Sequence, residues 1–380
     1  MKISYSWLKK YLNCDLDAEA VAKILTSTGL EVEGAETSES IKGGLKGLVV
    51  GEVKTCVPHP DSDHMHVTTV DVGGDALLNI VCGAPNVAAG QKVIVATIGT
   101  VLYDGDKSFT IKKSKLRGVV SEGMICAEDE IGVGTSHDGI IVLPADTKVG
   151  TPAAEVFHVE SDTVFEIGIT PNRIDGAHHI GCARDIYAFL KNNGAVPGIE
   201  LKLPDTSNFK VDNTSRTIPV EVEAKDRCTR YSGLTISNIT IKPSPDWLRR
   251  DIEAIGLRSI NNVVDVTNFI LFEYGQPLHS FDADKIKGNK VIVKTLPEGT
   301  EFVTLDEQTR KLSAEDLMIC NTEEPMCMAG VFGGLDSGIS DNTKNVFLES
   351  ACFNPVSIRL LFEKIDFTAE NRTVHDFLRA

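Results

Sequence analysis

Gly47-Leu-Val-Val-Gly-Glu-Val53 opens the part of the chain that decides its fold. After this apolar run, short runs rich in Val, Ile and Thr recur at 66–72, 77–82, 92–98, 108–113 and 139–143. Gly, Pro or Asp residues separate them. Strands of this length at this spacing predict a small closed barrel of roughly 100 residues.

Helical patterns stand on either side. Asp17 can cap a helix whose apolar stripe is Val21, Ile24 and Leu25 and which Gly29 can end. A second helical pattern covers 177–190, with Ile180, Ala183, Ile186, Tyr187 and Leu190 on one face. A barrel with one helical segment before it and one after it predicts an insertion into a small helical domain. Residues 196–217, rich in Pro, Asn, Ser and Thr, read as a linker. Beyond it the pattern is mixed: a strand at 231–241, then a helix with Pro245 at its first position and Gly256 at its end. The apolar face of that helix is Leu248, Ile252 and Ile255, and further strands follow at 290–295, 317–320, 326–331 and 346–349. The expected class is α+β and multidomain: a helical domain from 1–38 plus 150–195, a barrel at 39–149, a linker at 196–217 and a mixed α/β module at 218–380.

At 380 residues, two or three hydrophobic cores are expected. No apolar run approaches the roughly 20 residues that span a bilayer, and the first residues lack the pattern of a secretory signal. Nine cysteines without C-x-x-C spacing argue for reduced thiols in a cytoplasm. The net charge of −16 disfavours indiscriminate binding to nucleic acid. It leaves room for a local basic surface: Lys107, Lys112, Lys113, Lys115 and Arg117 share a span with no acidic residue between its ends. The bland reading of that span is a solvated strand face.

The chemistry concentrates in Arg258-Ser-Ile-Asn-Asn-Val-Val-Asp-Val-Thr-Asn-Phe-Ile-Leu-Phe-Glu-Tyr-Gly-Gln-Pro-Leu-His279. As a strand or a helix, this run holds more polar groups than packing needs. If buried, each must find a partner or cost about 1–3 kcal/mol. His279 with Glu349 could do acid–base work or orient a water. Arg258, Thr267 and Asn268 join that constellation, and Gly330 would allow a ligand close to the backbone. Taken singly, each of these residues is more often structural. His59-Pro-Asp-Ser-Asp-His-Met-His66 has zinc-like ligand types, but two shells would compete and Pro60 stiffens the turn, so it reads as a polar loop and no metal site is assigned. His178-His-Ile-Gly181 partly echoes a nucleotide-binding signature of one synthetase class, but Cys182 stands where histidine is needed, so it reads as a helix start. Hydrolase elbow, phosphate-loop and zinc-protease motifs are absent from the sequence.

In order along the chain, Val50-Gly-Glu-Val53, His59-Pro-Asp-Ser-Asp63, Ile80-Val-Cys-Gly-Ala-Pro-Asn86, Lys115-Leu-Arg-Gly-Val119, Gly123-Met-Ile-Cys126 and Thr170-Pro-Asn-Arg-Ile-Asp175 resemble the amino-terminal half of the bacterial phenylalanine–tRNA ligase beta subunit. The resemblance covers about 1–359, with 258–282 and 326–359 similar to its editing module. It implies a tRNA-binding barrel of the oligonucleotide-binding fold and a site that hydrolyses tyrosine wrongly attached to tRNA(Phe). An apolar pocket cannot strongly reject an analogue that merely adds a hydroxyl, so a second site must select it. The resemblance makes His279 and Glu349 readers of the tyrosyl side chain and its water, and Arg258, Thr267, Asn268 and Gly330 the pocket lining. It assigns tRNA contacts to Lys107, Lys112, Lys113, Lys115 and Arg117. It also implies an alpha-subunit partner in a heterotetramer that carries aminoacylation, with ATP and Mg used by the complete ligase and no cofactor in this chain. The family's beta subunit is about twice as long, and residues 360–380 depart from its pattern, so a truncated or frame-altered subunit, or an unusual variant, is expected. Two rivals remain: a tRNA-binding fragment with an incomplete pocket, and a small-molecule hydrolase using His279 and Glu349.

Overall fold

The computed structural model describes residues 1–105 and 107–364. It forms two compact units, one comprising Met1–Glu36 with the chain from Thr163 onward, the other Thr37–Asp162.

In the 37–162 unit, one antiparallel sheet runs in the order Gly123–Ile125, Lys92–Thr97, Leu48–Pro58, His66–Asp71, Leu78–Cys82, with Val142–Leu143 also paired to Lys92–Thr97. Leu48–Pro58 is long enough to serve two neighbours. Residues 48–52 pair with 92–96, and residues 52–58 pair with 66–71 across a register shift between Val53 and Thr55. That bulge bends the sheet. The bend brings the Leu78–Cys82 edge round to the segment leading into Gly123–Ile125. There Glu122 N donates to Asn79 O (2.8 Å) and Val81 N donates to Ser121 Oγ (3.1 Å). The result is a nearly closed, barrel-like sheet. Alternate residues of Lys92–Thr97 enter different apolar clusters, Val93 and Val95 one, Ile94 and Ala96 the other. Both faces of that strand are buried, which is why its sequence reads as continuous apolar.

The strand expected at 108–113 is shorter and lies elsewhere. Lys107–Thr110 pairs with Val101–Asp104 in a separate hairpin, and Ser114–Leu116 pairs with Val119–Ser121 in another. Arg117 and Gly118 make the turn of the second hairpin, both at positive φ (43° and 91°). Such two-residue turns match the strand twist and favour Asn-Gly; an arginine there is uncommon.

In the other unit, the strands Lys2–Ser4, Ser161–Gly168 and Glu31–Glu39 form a sheet in that order. The helices Ala18–Ser27 and His179–Asn193 share its core with Trp7, Phe165 and Phe272. Asp17 caps the first helix through Ala20 N (2.7 Å), and Val21, Ile24 and Leu25 are its buried face, as the spacing predicts. His178 begins the second, with its Nδ1 3.1 Å from Gly181 N. A Cβ on Gly181 would lie 2.0 Å from the backbone oxygen of Asp175 and 3.1 Å from Gly176 Cα. Neither backbone atom can swing aside, so Gly181→Ala is expected to cost about 3 kcal/mol of stability by overpacking. A lowered midpoint in urea unfolding is the check, and an unchanged midpoint would refute this steric account.

Residues 196–217 are largely without regular structure and mostly exposed. Beyond them two sheets face each other. One runs Val220–Val222, Val291–Thr295, Leu317–Cys320, Pro325–Met328, Phe332–Gly333, its first pair parallel and the rest antiparallel. The other is antiparallel, Cys228–Ile236, Val346–Phe353, Leu278–Asp282. Phe281 and Phe347 from the second meet Val291, Val293, Leu317, Ile319 and Met326 from the first in one core.

Three boundaries differ from expectation. The strand at 231–241 stops at Ile236, before Asn238 turns to φ 60°. Pro245 precedes the helix Asp246–Ala254 as its cap instead of occupying its first position. The strand at 326–331 ends at Met328 because Gly330 takes φ 68° in a turn.

Candidate functional site

The run 258–279 folds as the helix Asn262–Tyr274, between a capping Asn261, whose Oδ1 accepts from Val263 N and Val264 N, and Gly275 at φ 75°. Its most buried polar group, Asp265, is fully satisfied. It accepts from Ser244 Oγ and Ser259 Oγ (2.5 Å each) and from Ile260 N (2.9 Å). Asp265 therefore fastens the loop that carries Arg258 and is structural. Thr267 Oγ1 donates to Val264 O, its own helix backbone (2.7 Å), and the Asn268 side-chain amide has no partner among the described residues. Arg258 is exposed. Gln276 then ties the turn to the sheet through Ala351 O (3.3 Å), which sets the register of the strand carrying His279.

Across the three-stranded sheet, Gly233, Glu349 and His279 stand abreast, so the two candidate side chains emerge on one face. The His279 ring meets Phe281 edge-on, with centroids 4.5 Å apart. A Cβ on Gly333 would lie 3.1 Å from His279 Cε1, so this glycine lets the Phe332–Gly333 strand pass close to the ring. Gly330 lies in the turn just before that strand, near Phe353 and Ile358. Glu349 is buried, and its Oε2 accepts the Tyr231 hydroxyl at 2.5 Å.

The environment sets the charges. Burial pushes the Glu349 carboxyl up to about 7, against the lowering effect of the Tyr231 hydrogen bond. Burial draws the imidazole of the half-buried His279 down to about 4, so it is neutral at physiological pH. The Tyr231 phenol is raised, first by burial and then by Glu349 beside it. Neither ring nitrogen of His279, nor Oε1 of Glu349, has a hydrogen-bond partner among the described residues. These unspent atoms are not fully buried: they keep some exposure and can meet a polar ligand or a water.

The structure thus brings His279 and Glu349 together. Arg258 and Thr267 make no hydrogen bond to either of them among the described residues. Tyr231 was missed by sequence reasoning. It lies 118 residues from Glu349 in the chain, and nothing local in the Cys228–Ile236 strand marks it.

In the 37–162 unit, Lys107, Lys112, Lys113, Lys115 and Arg117 are all exposed. Lys113 pairs with Glu122 (2.8 Å), and Arg117 donates to Asp61 O (3.0 Å). Lys107, Lys112 and Lys115 make no ion pair among the described residues. Phe109 and Leu116, exposed beside them, give the surface apolar faces among its cations. His59 is structural: its Nδ1 accepts from Asp61 N, so Nε2 carries the proton toward Leu116 O (3.2 Å). This joins the polar 59–66 loop to the Arg117 hairpin. Among the described residues, no three His, Cys, Asp or Glu side chains gather as a metal site requires.

Residues 48–152 match the family described as a putative tRNA binding domain, and residues 227–375 match the B3/4 domain. Over 359 residues the chain is 60% identical to the phenylalanine–tRNA ligase beta subunit of Bacteroides fragilis, which covers 94% of this chain and 44% of that protein. The chain is a relative of the phenylalanine–tRNA ligase beta subunit. The beta subunit of Porphyromonas gingivalis is 58% identical over 372 residues, 98% of this chain and 45% of that one. The chain therefore spans less than half the length of the curated beta subunits it matches. Among solved structures, an amino-terminal fragment of the phenylalanyl-tRNA synthetase beta subunit from Pyrococcus horikoshii aligns at a TM-score of 0.30 and 16% identity, covering 53% of this chain and 61% of that one. The B3/4 match runs past Arg359 into the segment read as atypical; from 365 onward that segment lies outside the described residues. No helix among the described residues is long and apolar enough to cross a membrane.

Proposed function

We propose that this chain serves phenylalanyl-tRNA synthesis as the amino-terminal part of a ligase beta subunit, binding tRNA(Phe) and hydrolysing tyrosine wrongly attached to it. The observation that carries the reading is the pair His279–Glu349, abreast on one sheet face, each with an unspent hydrogen-bonding atom.

A tyrosyl group differs from phenylalanyl by one hydroxyl. A buried acceptor at Glu349 gains a hydrogen bond from tyrosine and would be left unpaired by phenylalanine. Neutral His279 is a weak base at physiological pH and is suited to accept from, and orient, the water that attacks the ester. Attack by that water breaks the acyl–oxygen bond and releases free tyrosine and tRNA with its terminal hydroxyl restored. By resemblance, Arg258, Thr267, Asn268 and Gly330 line the remaining pocket. The 37–162 unit acts as an oligonucleotide-binding-fold barrel, with Lys107, Lys112 and Lys115 free to meet phosphates and Phe109 to stack on a base. Lys113 and Arg117, already engaged, shape the same surface. Phenylalanine attachment, with the ATP and Mg it uses, belongs to an alpha-subunit partner in the cytoplasm.

Mixing the chain with tyrosyl-tRNA(Phe) and following free tyrosine tests this. Glu349→Ala and His279→Ala are each expected to slow release by at least about 100-fold. Binding of tRNA without release would point to the non-catalytic fragment, and no affinity for tRNA would defeat both readings.

A further inference from the structure

One group in this site belongs to neither the resemblance nor the proposed chemistry. Tyr231 stands opposite Ala351 in the register, diagonal to Glu349 across the sheet. The small Ala351 opposite it lets the phenol reach along the strand, a diagonal that aromatic side chains can span. A Cβ on Gly233 would lie 2.2 Å from the Phe347 ring, so this glycine admits that ring as one wall of the arrangement. The Tyr231 hydroxyl takes Oε2 of Glu349 at 2.5 Å, and Oε1 stays without a partner among the described residues.

We propose that Tyr231 is the positioning residue that sets substrate choice, holding Oε2 of Glu349 so that Oε1 is the acceptor presented to the substrate's aryl hydroxyl. This rests on the editing reading above. A carboxyl free to rotate presents either oxygen, protonated or not. One clamped by a short hydrogen bond presents a single acceptor in a fixed direction. A hydrogen bond to a charged group contributes more than a neutral one, because an ionised partner strengthens it. The groups acting on or facing Glu349 are Tyr231 and Cys228 from the Cys228–Ile236 strand, His279 from Leu278–Asp282 and Cys327 from Pro325–Met328. Of these, Tyr231 is the one that lowers the carboxyl's affinity for protons.

The test compares kcat/KM of the full chain for tyrosyl-tRNA(Phe) and phenylalanyl-tRNA(Phe) across pH. Tyr231→Phe is expected to lower the tyrosyl-to-phenylalanyl ratio about tenfold, corresponding to about 1.4 kcal/mol, and to move the rise of the tyrosyl pH profile upward. Equal losses on both esters, or a profile that stays in place, would overturn the proposal. Replacing Tyr231 with 3-fluorotyrosine keeps the shape and strengthens the donor. It should move the profile downward, and an unmoved profile in that variant would also overturn the proposal. Wild-type chain that releases no tyrosine would defeat the editing reading itself. An active wild type whose Tyr231→Phe variant keeps the ratio would defeat only the role of Tyr231.

Discussion

Asp265→Ala lowers the stability of the chain by about 3 kcal/mol, read as a shift of the urea-unfolding midpoint. The carboxylate is inaccessible to solvent and accepts three hydrogen bonds, from the hydroxyls of Ser244 and Ser259 and the amide of Ile260. Truncation leaves all three donors, one buried and two partly buried, without their charged acceptor, at a cost on the order of 1 kcal/mol each. Asp265→Asn should fall between wild type and Ala: its amide oxygen still accepts from Ile260 N, and its nitrogen can donate only if the Ser244 and Ser259 hydroxyls turn to accept, which gives up their own charge-assisted bonds. The 258–261 loop, with Arg258 on it, would lose its anchor in both variants. A midpoint unchanged by Asp265→Ala would show that the loop is held by other means.

Acid weakens the unit built on His179, by several kcal/mol between pH 6.5 and 3. This side chain is fully buried against Trp7, its ring stacked at 3.8 Å. Its Nδ1 donates to Phe272 O (2.7 Å) and its Nε2 accepts from Ser4 N (3.1 Å), so both nitrogens are committed as the neutral tautomer. A second proton would place a donor against a donor. Burial, the larger cause, holds the imidazole down at about 3. In the unfolded chain the group titrates near its ordinary value of about 6.5. Between those values the unfolded state binds more protons, so stability rises with pH through the window and falls as acid is added, by at most about 1.4 kcal/mol per pH unit. His279, drawn down to about 4, adds to the same trend, and Glu349, raised to about 7, opposes it between about 4.5 and 7. Comparing wild type with His179→Gln isolates the His179 contribution, because the other groups are common to both. Parallel stability–pH curves for the two proteins would refute it.

The two residues illustrate how far the sequence could be read. Asp265 looked like part of a ligand-reading run, because its spacing from Thr267 and Asn268 is all that one dimension offers. Its partners are Ser244, ahead of the helix Asp246–Ala254, and Ser259, in the turn after it; only the packing of that helix beside Asn262–Tyr274 aims both at it. His178 and His179 read correctly as a helix start. That they reach the backbone oxygens of Phe272 and Glu273, more than 90 residues on, had no local signal.

By itself, the sequence determined the strand-rich middle, the capped helices and the Gly275 turn, and it named His279 and Glu349 as candidates. These follow from short-range physics: apolar periodicity, side-chain caps and positive φ at glycine. Tertiary structure alone decided which polar groups are spent and which are free. Sheet register set His279 beside Glu349, and the diagonal from Tyr231 claimed one oxygen of that carboxyl. It also split the basic span between two hairpins, leaving Lys112 and Lys113 off any strand. Hydrogen-bond satisfaction and burial are properties of neighbours distant in the chain, and a long-range pairing leaves no periodic trace in the segments that make it.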